Sequence, residues 1–188
     1  MTFPSHDADS APEGSKALLE NSIKAFGRIP GLHKVLSDSP QAFEGYQMLH
    51  KLFNETDFDA DELTVVWQSI NVEHECHYCV PAHTGIAKMM KVSDEITEAL
   101  RNETPLPSAK LEALRTFTVQ MVRARGNVTE EQMTTFFAAG YKHRAVLDVI
   151  LGLAQKTMSN YINHVAETPV DEVFQPLAWK RGDKPLEV

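Results

Sequence analysis

The chain has 188 residues, 43% of them hydrophobic and 23% charged, with a net charge of -8 at neutral pH. That length sustains one full-sized core. The negative charge, with no basic run to offset it, excludes nonspecific binding to nucleic acid or to anionic membrane surfaces.

Residues 1 to 14 read as a flexible N-terminal segment. MTFPSHDADSAPEGS is polar, acidic and broken by Pro4 and Pro12, without the cationic start and apolar run of a secretory signal. The domain is expected over 15 to 176, with 177 to 188 as an irregular tail. A first helix runs from Ser15 to Gly27, and Gly27 with Pro30 gives the usual stop order. A helical turn, GLHKVLSDS, leads to a helix over Gln41 to Asn54, where Phe43, Tyr46, Leu49, Leu52 and Phe53 recur at three- and four-residue steps. Asp59 caps the next helix and closes a capping box with Glu62; Leu63, Val66, Trp67 and Ile70 form one face. The polar run Glu73-His74-Glu75 breaks it. A helix from Val80 to Lys91 follows, then a short one over Asp94 to Asn102 capped by Ser93.

Ser108 to Arg125 carries Leu111, Leu114, Phe117, Thr118 and Met121 on one stripe. Thr129 opens the capping box TEEQ of a helix that Gly140 closes. The longest helix spans Arg144 to Ala166, with Val146, Val149, Ile150, Leu153, Met158 and Ile162 as its apolar members, and a last helical turn covers Val170 to Phe174. Nothing alternates with period two for long enough to need a sheet. No stretch approaches the length of about 18 apolar residues that crosses a bilayer, so no membrane span is expected. The fold class is all-α, one domain of roughly seven to nine helices.

The chemistry concentrates in residues 72 to 90, VEHECHYCVPAHTGIAKMM. Both cysteines lie here, Cys76 and Cys79, with His83 four residues further on. In a reducing cytoplasm, the compartment expected for a chain so poor in cysteine, such a pair is catalytic or metal-binding rather than structural. Pro81 suits a first helical turn and so puts Cys79 at a helix entrance, whose partial positive charge favours a thiolate. A continuous helix leans Cys76, Cys79 and His83 toward one face, where the imidazole can take a thiol proton. One thiolate then attacks a peroxide or disulfide and the other resolves the sulfenic acid or mixed disulfide, with Cys79 expected to react first. The redox-active group is the Cys76–Cys79 disulfide itself, with no cofactor and no metal. The same residues also fit two packed core cysteines with a satisfied histidine. A zinc site of Cys76, Cys79 and His83, completed by Glu73, His74, His77 or His164, is a further reading, but no second ligand pair is evident.

The run CHYCVPAHT resembles the Cys-X-X-Cys-X-X-X-His core of the AhpD-like, or carboxymuconolactone decarboxylase, family, in its peroxidase-related branch. The preceding helix and the segments LEALRTFTVQMVRARGNVTEEQMTTFFAAGY and DVILGLAQKTMSNYINHV extend the resemblance over most of residues 40 to 175. It implies a single AhpD-like helical domain that associates into a symmetric homo-oligomer, a dimer, trimer or hexamer. It also implies a thiol-dependent antioxidant oxidoreductase of alkylhydroperoxidase or peroxiredoxin type. Such an enzyme acts on a hydroperoxide or a partner-protein disulfide and is regenerated by a reducing thiol partner. By that resemblance Cys79 is the peroxidatic cysteine, Cys76 the resolving or partner-facing one, and His83 the relay histidine. Two positions depart from the pattern. Thr64 stands twelve residues before Cys76, where the family has a relay glutamate, and Tyr78 precedes Cys79 where histidine is frequent. Gln68, one turn after Thr64, can hold a water or the imidazole but accepts no proton at neutral pH. Glu62 and Glu73 are stand-ins without the family spacing. The family's other name suggests decarboxylation of a cyclic lactone acid, which needs no cysteine pair; a non-catalytic helical oligomer with a Cys2His zinc site is the remaining alternative.

Elsewhere, His74 and His77 flank Cys76, as tuning groups or plain loop histidines. Asn160, Asn163 and His164 lie on a helix able to reach the thiols, or to make end contacts or an oligomer interface. Most of Met89, Met90, Met121, Met133 and Met158 are expected as core filler, and Trp67 and Trp179 as packing anchors. Lys110, Arg115, Arg123 and Arg125 read as a solvated face.

Overall fold

Residues 3 to 182 are described in a computed structural model of the chain. The first two residues and the last six of the expected tail lie outside them. The described residues form nine α-helices and one closing 3-10 helix, with no strand. In order these are α1 (Glu13–Phe26), α2 (Gly31–Leu36), α3 (Pro40–Asn54), α4 (Ala60–Glu73), α5 (Cys79–Met89), α6 (Asp94–Arg101), α7 (Ala109–Arg123), α8 (Glu130–Ala138), α9 (His143–Val165) and the 3-10 helix Glu172–Leu177.

Short polar side chains set the helix starts. Ser39, Ser93 and Ser108 each accept the N–H three residues on, and Pro40 occupies the first turn of α3, where its missing N–H costs nothing. Asp59 with Glu62 and Thr129 with Gln132 form reciprocal capping boxes on α4 and α8. Gly27 ends α1 in the left-handed region at φ 68. Glu75, at φ 52, turns the chain out of α4 and into the cysteine loop.

Helix α4 is the axis of the molecule. Every residue from Glu62 to Val72 is buried, because α5, α6, α7 and α9 all pack around it. One core gathers Phe53, Trp67, Ile70, Leu114, Phe117, Phe136 and Tyr141 about α4 and α7. Phe136 stacks between Phe117 and Tyr141, with ring centroids 4.1 and 4.5 Å away. A second, smaller core holds Leu19, Leu32, Leu36, Phe43, Tyr46 and Tyr78 together with Cys76, Cys79 and Ala82. The thiols therefore sit in the smaller core, where the entrance of α5 meets α1, α2 and α3, with Met158 and Ile162 of α9 against it.

The structure corrects two expected positions, Arg115 and Ile150. Arg115 is only 3% exposed, its guanidinium held by Glu112 and the carbonyl of Thr104. Satisfied donors make that burial tolerable. Lys110, Arg123 and Arg125 are exposed as expected, with Lys110 reaching Glu62 at 2.8 Å and Arg123 reaching Glu73 at 2.7 Å. The described stretch after Leu177 is irregular, as expected, and side chains hold it to the body: Trp179 donates its indole N–H to the carbonyl of Arg101 (2.8 Å), and Arg181 pairs with Glu73, Glu75 and Glu103. Finally, the expected apolar members of α9 pack against the two cores, at Val146, Val149, Leu153, Met158 and Ile162, with Ile150 as the exception. Val149 is buried but Ile150 is 44% exposed, as are Leu147, Tyr161 and Val165 on the same outer stripe. The buried stripe is Val149, Gly152, Gln155, Lys156, Ser159, Asn160 and Asn163. Its polar members meet polar groups of α4 and the cysteine loop: Gln155 bonds to Trp67, Asn160 to Asn71 and Asn163 Nδ2 to Cys79.

Candidate active site

The loop between α4 and α5 is short and fully specified by hydrogen bonds. Cys76 N–H donates to the carbonyl of Asn71, and Cys76 O accepts from Val80 N–H, so α5 begins one turn after the first sulfur. Cys79 is the first residue of α5, and its N–H donates to Cys76 Sγ at 3.3 Å. The two residues between the cysteines face elsewhere. The Tyr78 hydroxyl donates to Asp171 (2.8 Å) and accepts from Leu32 N–H (3.2 Å), while the His77 ring donates to the carbonyl of Thr168 (3.0 Å). They tie the cysteine loop to α2 and to the segment leading into the closing 3-10 helix.

Both sulfurs are shielded from solvent, Cys76 at 0% and Cys79 at 2% exposure, and both are free thiols. Their environments nevertheless differ. Burial pushes the Cys79 thiol up, but the Cys76 thiol, the charge of Lys156 and the amides of Asn163 and Asn160 all favour the anion and bring it down to about 5. Asn163 Nδ2 lies 3.2 Å from Cys79 Sγ. Cys76 is driven the other way, by donating to Cys79, by burial and by the neighbouring negative charge. These causes favour the anion on Cys79 and the thiol on Cys76.

His83 is 6% exposed and lies against Trp67, ring centroids 4.9 Å apart. Its Nε2 is 2.8 Å from Lys156 Nζ. Burial and the adjacent cation hold the His83 pKa well below the ordinary histidine value, so the neutral ring accepts from the ammonium and its proton sits on Nδ1. Lys156 is 1% exposed. Burial lowers its pKa, and the charges of Cys79 and Cys76 oppose that fall. Beside it, Gln155 accepts from the Trp67 indole (2.7 Å) and meets His50 Nδ1 (3.0 Å). The cation and the thiolate offset one another, which is the condition for burying either.

The expected tuning residues separate into two groups. Gln68 joins the site's framework, donating to the carbonyl of Val80 and the hydroxyl of Thr84 (3.1 Å each) and accepting from Asn71 (3.0 Å). Asn71 in turn accepts from Asn160, whose carbonyl oxygen is 2.9 Å from His74 Nδ1. Thr64 is buried with its hydroxyl unpartnered among the described residues. Glu73 is turned to Arg123 and Arg181, and Glu62 to Lys110 and Tyr141. His164 stacks beside His77. Cys76, Cys79 and His83 are gathered with Asn160 and Asn163, but the ring of His83 is bonded to Lys156, so the Cys2His zinc arrangement is not formed. Among the described residues no group of three or more His, Cys, Asp or Glu side chains is placed to hold a metal ion.

Lys156 is the residue that sequence reasoning missed. A signal for it exists: Gln155, Lys156, Ser159, Asn160 and Asn163 share one helical face, opposite Leu147, Ile150, Tyr161 and Val165. A polar face on a helix as rich in apolar residues as its other face points inward only where it meets chemistry.

Compared by sequence, the chain matches no family model and no curated protein. Compared by structure, it is similar to the alkylhydroperoxidase AhpD core of an uncharacterized peroxidase-related protein from Ralstonia eutropha JMP134. The TM-score is 0.81 at 16% identity, over 92% of this chain and 93% of that one. An uncharacterized peroxidase-related protein from Silicibacter sp. TM1040 gives 0.78 at 16% identity, over 93% and 92%. The debrominase Bmp8 in complex with 2,3,4-tribromopyrrole gives 0.76 at 13% identity, over 94% of each chain. These likenesses, over nine-tenths of each chain, show that the all-helical body has the AhpD-like fold.

Proposed function

We propose that the protein is a thiol-dependent oxidoreductase that reduces a hydroperoxide or a partner-protein disulfide through Cys79 and Cys76. The observation that carries this reading is the unequal pair: two adjacent sulfurs, with Cys79 held as the anion by Asn163 and Lys156 and Cys76 kept protonated. An anionic sulfur is the nucleophile, and a neighbouring thiol is what its sulfenic acid needs. Cys79 takes an oxygen from the peroxide and becomes a sulfenic acid; Cys76 displaces that oxygen as water and forms the disulfide. A dithiol partner returns the two electrons. Decarboxylation gives no role to such a pair.

The test is titration of the free thiols after one equivalent of cumene hydroperoxide, with 2,3,4-tribromopyrrole as the competing electrophile. The expected result is loss of both thiols together, a Cys76–Cys79 disulfide, sulfenate on Cys79 in Cys76→Ser, and no turnover in Cys79→Ser. Turnover that survives Cys79→Ser overturns the reading, and thiol loss to the bromopyrrole alone moves it to another electrophile.

The proposal extends to a homo-oligomer. The exposed apolar stripe of Leu147, Ile150, Tyr161 and Val165 would be covered by the same helix of a second copy running antiparallel. Light scattering of Leu147→Asp/Val165→Asp should then give a monomer mass where the parent gives a multiple.

A further inference from the structure

We propose that Lys156 is the proton-carrying group of the thiol site, its ammonium protonating the oxygen that leaves when Cys79 attacks a hydroperoxide. This rests on the hydroperoxide reading above and assigns the proton that reading leaves open.

The proton donor of such a site is ordinarily sought among carboxylates, and here the carboxylates are engaged elsewhere. Glu62 is bonded to Lys110 and Tyr141, Glu73 to Arg123 and Arg181, and Asp171 to Tyr78, Arg28 and the N–H of Gly31. Position 64 is a threonine. What the structure buries beside the sulfurs is Lys156, 1% exposed, its Nζ 2.8 Å from His83 Nε2 and its positive charge favoured by Cys79 and Cys76 against the pull of burial. The other titratable groups around it are His83 on α5, His50 on α3 and His74 at the end of α4, whose pKa values burial holds down, and Tyr46 on α3, whose phenol burial and the Cys79 charge push up and so keep protonated. A neutral ring holds the ammonium in place without taking its proton, so His83 is a positioning residue. Asn163 complements the pair. Its Nδ2 is bonded to Cys79 Sγ, and its Oδ1 is buried without a partner among the described residues, an acceptor for the O–H of a hydroperoxide at the sulfur.

The electron and proton balance closes on these groups. The Cys79 thiolate forms an S–O bond to the hydroxyl oxygen of ROOH, the O–O bond breaks, and its electron pair leaves on RO. That oxygen takes the proton from Lys156 and departs as ROH, leaving a sulfenic acid and a neutral amine. The amine then accepts the proton of Cys76, whose sulfur attacks Cys79. The S–O bond breaks, and the hydroxide leaves as water with that same proton. A dithiol reduces the disulfide, and its two protons restore the Cys76 thiol and the Lys156 ammonium beside the Cys79 thiolate.

The experiment compares three reagents on Cys79 in the parent, Lys156→Met and Lys156→Arg, each at a pH where alkylation shows Cys79 fully ionised. Iodoacetamide releases iodide and peracetic acid releases acetate, and neither leaving group needs a proton; cumene hydroperoxide releases an alkoxide that does. Lys156→Met should alkylate and react with peracetic acid near the parent rate once ionised, yet stay about 10²- to 10⁴-fold slow with cumene hydroperoxide. Lys156→Arg, which keeps the charge but does not surrender a proton, should behave the same way and stands as the test if the methionine variant does not fold. Equal rates for all three reagents in either variant overturn the proposal and leave Lys156 as a countercharge only. A parent that alkylates but reduces no hydroperoxide overturns the peroxidase reading instead.

Discussion

Cys79 and Cys76 are chemically identical side chains three residues apart, and their neighbours give them opposite titration. Cys79 receives an amide hydrogen from Asn163 and feels the Lys156 charge, whereas Cys76 donates its own hydrogen to Cys79. A hydrogen bond to a charged acceptor contributes about 1.5–3 kcal/mol, or about 1–2 pKa units. Asn163→Leu, which keeps the volume and removes the donor, should therefore raise the Cys79 pKa by about 1–2 units. The loss of the anionic thiolate would show as an ultraviolet thiolate absorbance that appears only at higher pH. An unshifted profile would mean that the amide is a packing contact alone. At this scale the sequence was most legible at Cys76, Cys79 and the entrance of α5, since motif spacing and a proline are local signals. It was least legible at Lys156, more than seventy residues away, whose role depends on how α9 is rotated; Asn163 was readable only as a residue on a helix able to reach the thiols.

Among the elements, α9 does the positioning. At Gly152 it lies close against its neighbours: an added Cβ would come within 2.7 Å of the Phe53 ring and 2.9 Å of a Val66 methyl. That absence of a side chain lets α9 seat against α3 and α4, and Lys156 follows one turn later. In Gly152→Ala the gain in helix propensity, about 1 kcal/mol, is set against an overpacking cost of about 1–3 kcal/mol. The expected result is a lower melting temperature together with slower alkylation of Cys79, because the lysine withdraws with the helix. A variant with parent stability and parent thiol reactivity would show that α9 is not held at that point. The helix boundaries themselves were readable from caps and stops: Asp59 with Glu62, Ser93, Ser108, Thr129 with Gln132, and Gly27 all act as their residue types dictate. The most buried stripe of α9 was not readable from hydrophobicity, because it is the more polar one.

For the whole molecule, the polar groups packed into the core make stability depend on pH. His33 and His50 are held neutral by burial, with pKa values near 3 and 4, and His83 is held well below its ordinary value. A folded pKa below the unfolded value of about 6.5 means that the stability contributed by the neutral ring is present above 6.5 and lost as the pH falls through the folded value. At pH 5 the unfolded chain protonates these rings and the folded one does not, which costs about 2 kcal/mol each for His33 and His50. Cys79 adds in the same direction, its depressed pKa withdrawing stability as the pH drops from the ordinary thiol range toward about 5. Against a total stability of about 5–15 kcal/mol this predicts a steep fall in melting temperature between pH 6.5 and 4. A flat profile over that range would mean that the rings are hydrated and charged in the folded state. The all-helical class and the single domain were legible from periodicity alone; the second core, assembled from α1, α2, α3 and the cysteine loop, was not, because its members are far apart in sequence.

The activated thiolate can be measured directly by following alkylation of each cysteine in the unmodified protein as a function of pH, with the two sites resolved by fragment mass spectrometry. Cys79 should react first, with a midpoint near pH 5, and Cys76 only at much higher pH. A Cys79 midpoint near the ordinary thiol value of 9.0, or Cys76 reacting ahead of it, would contradict the account.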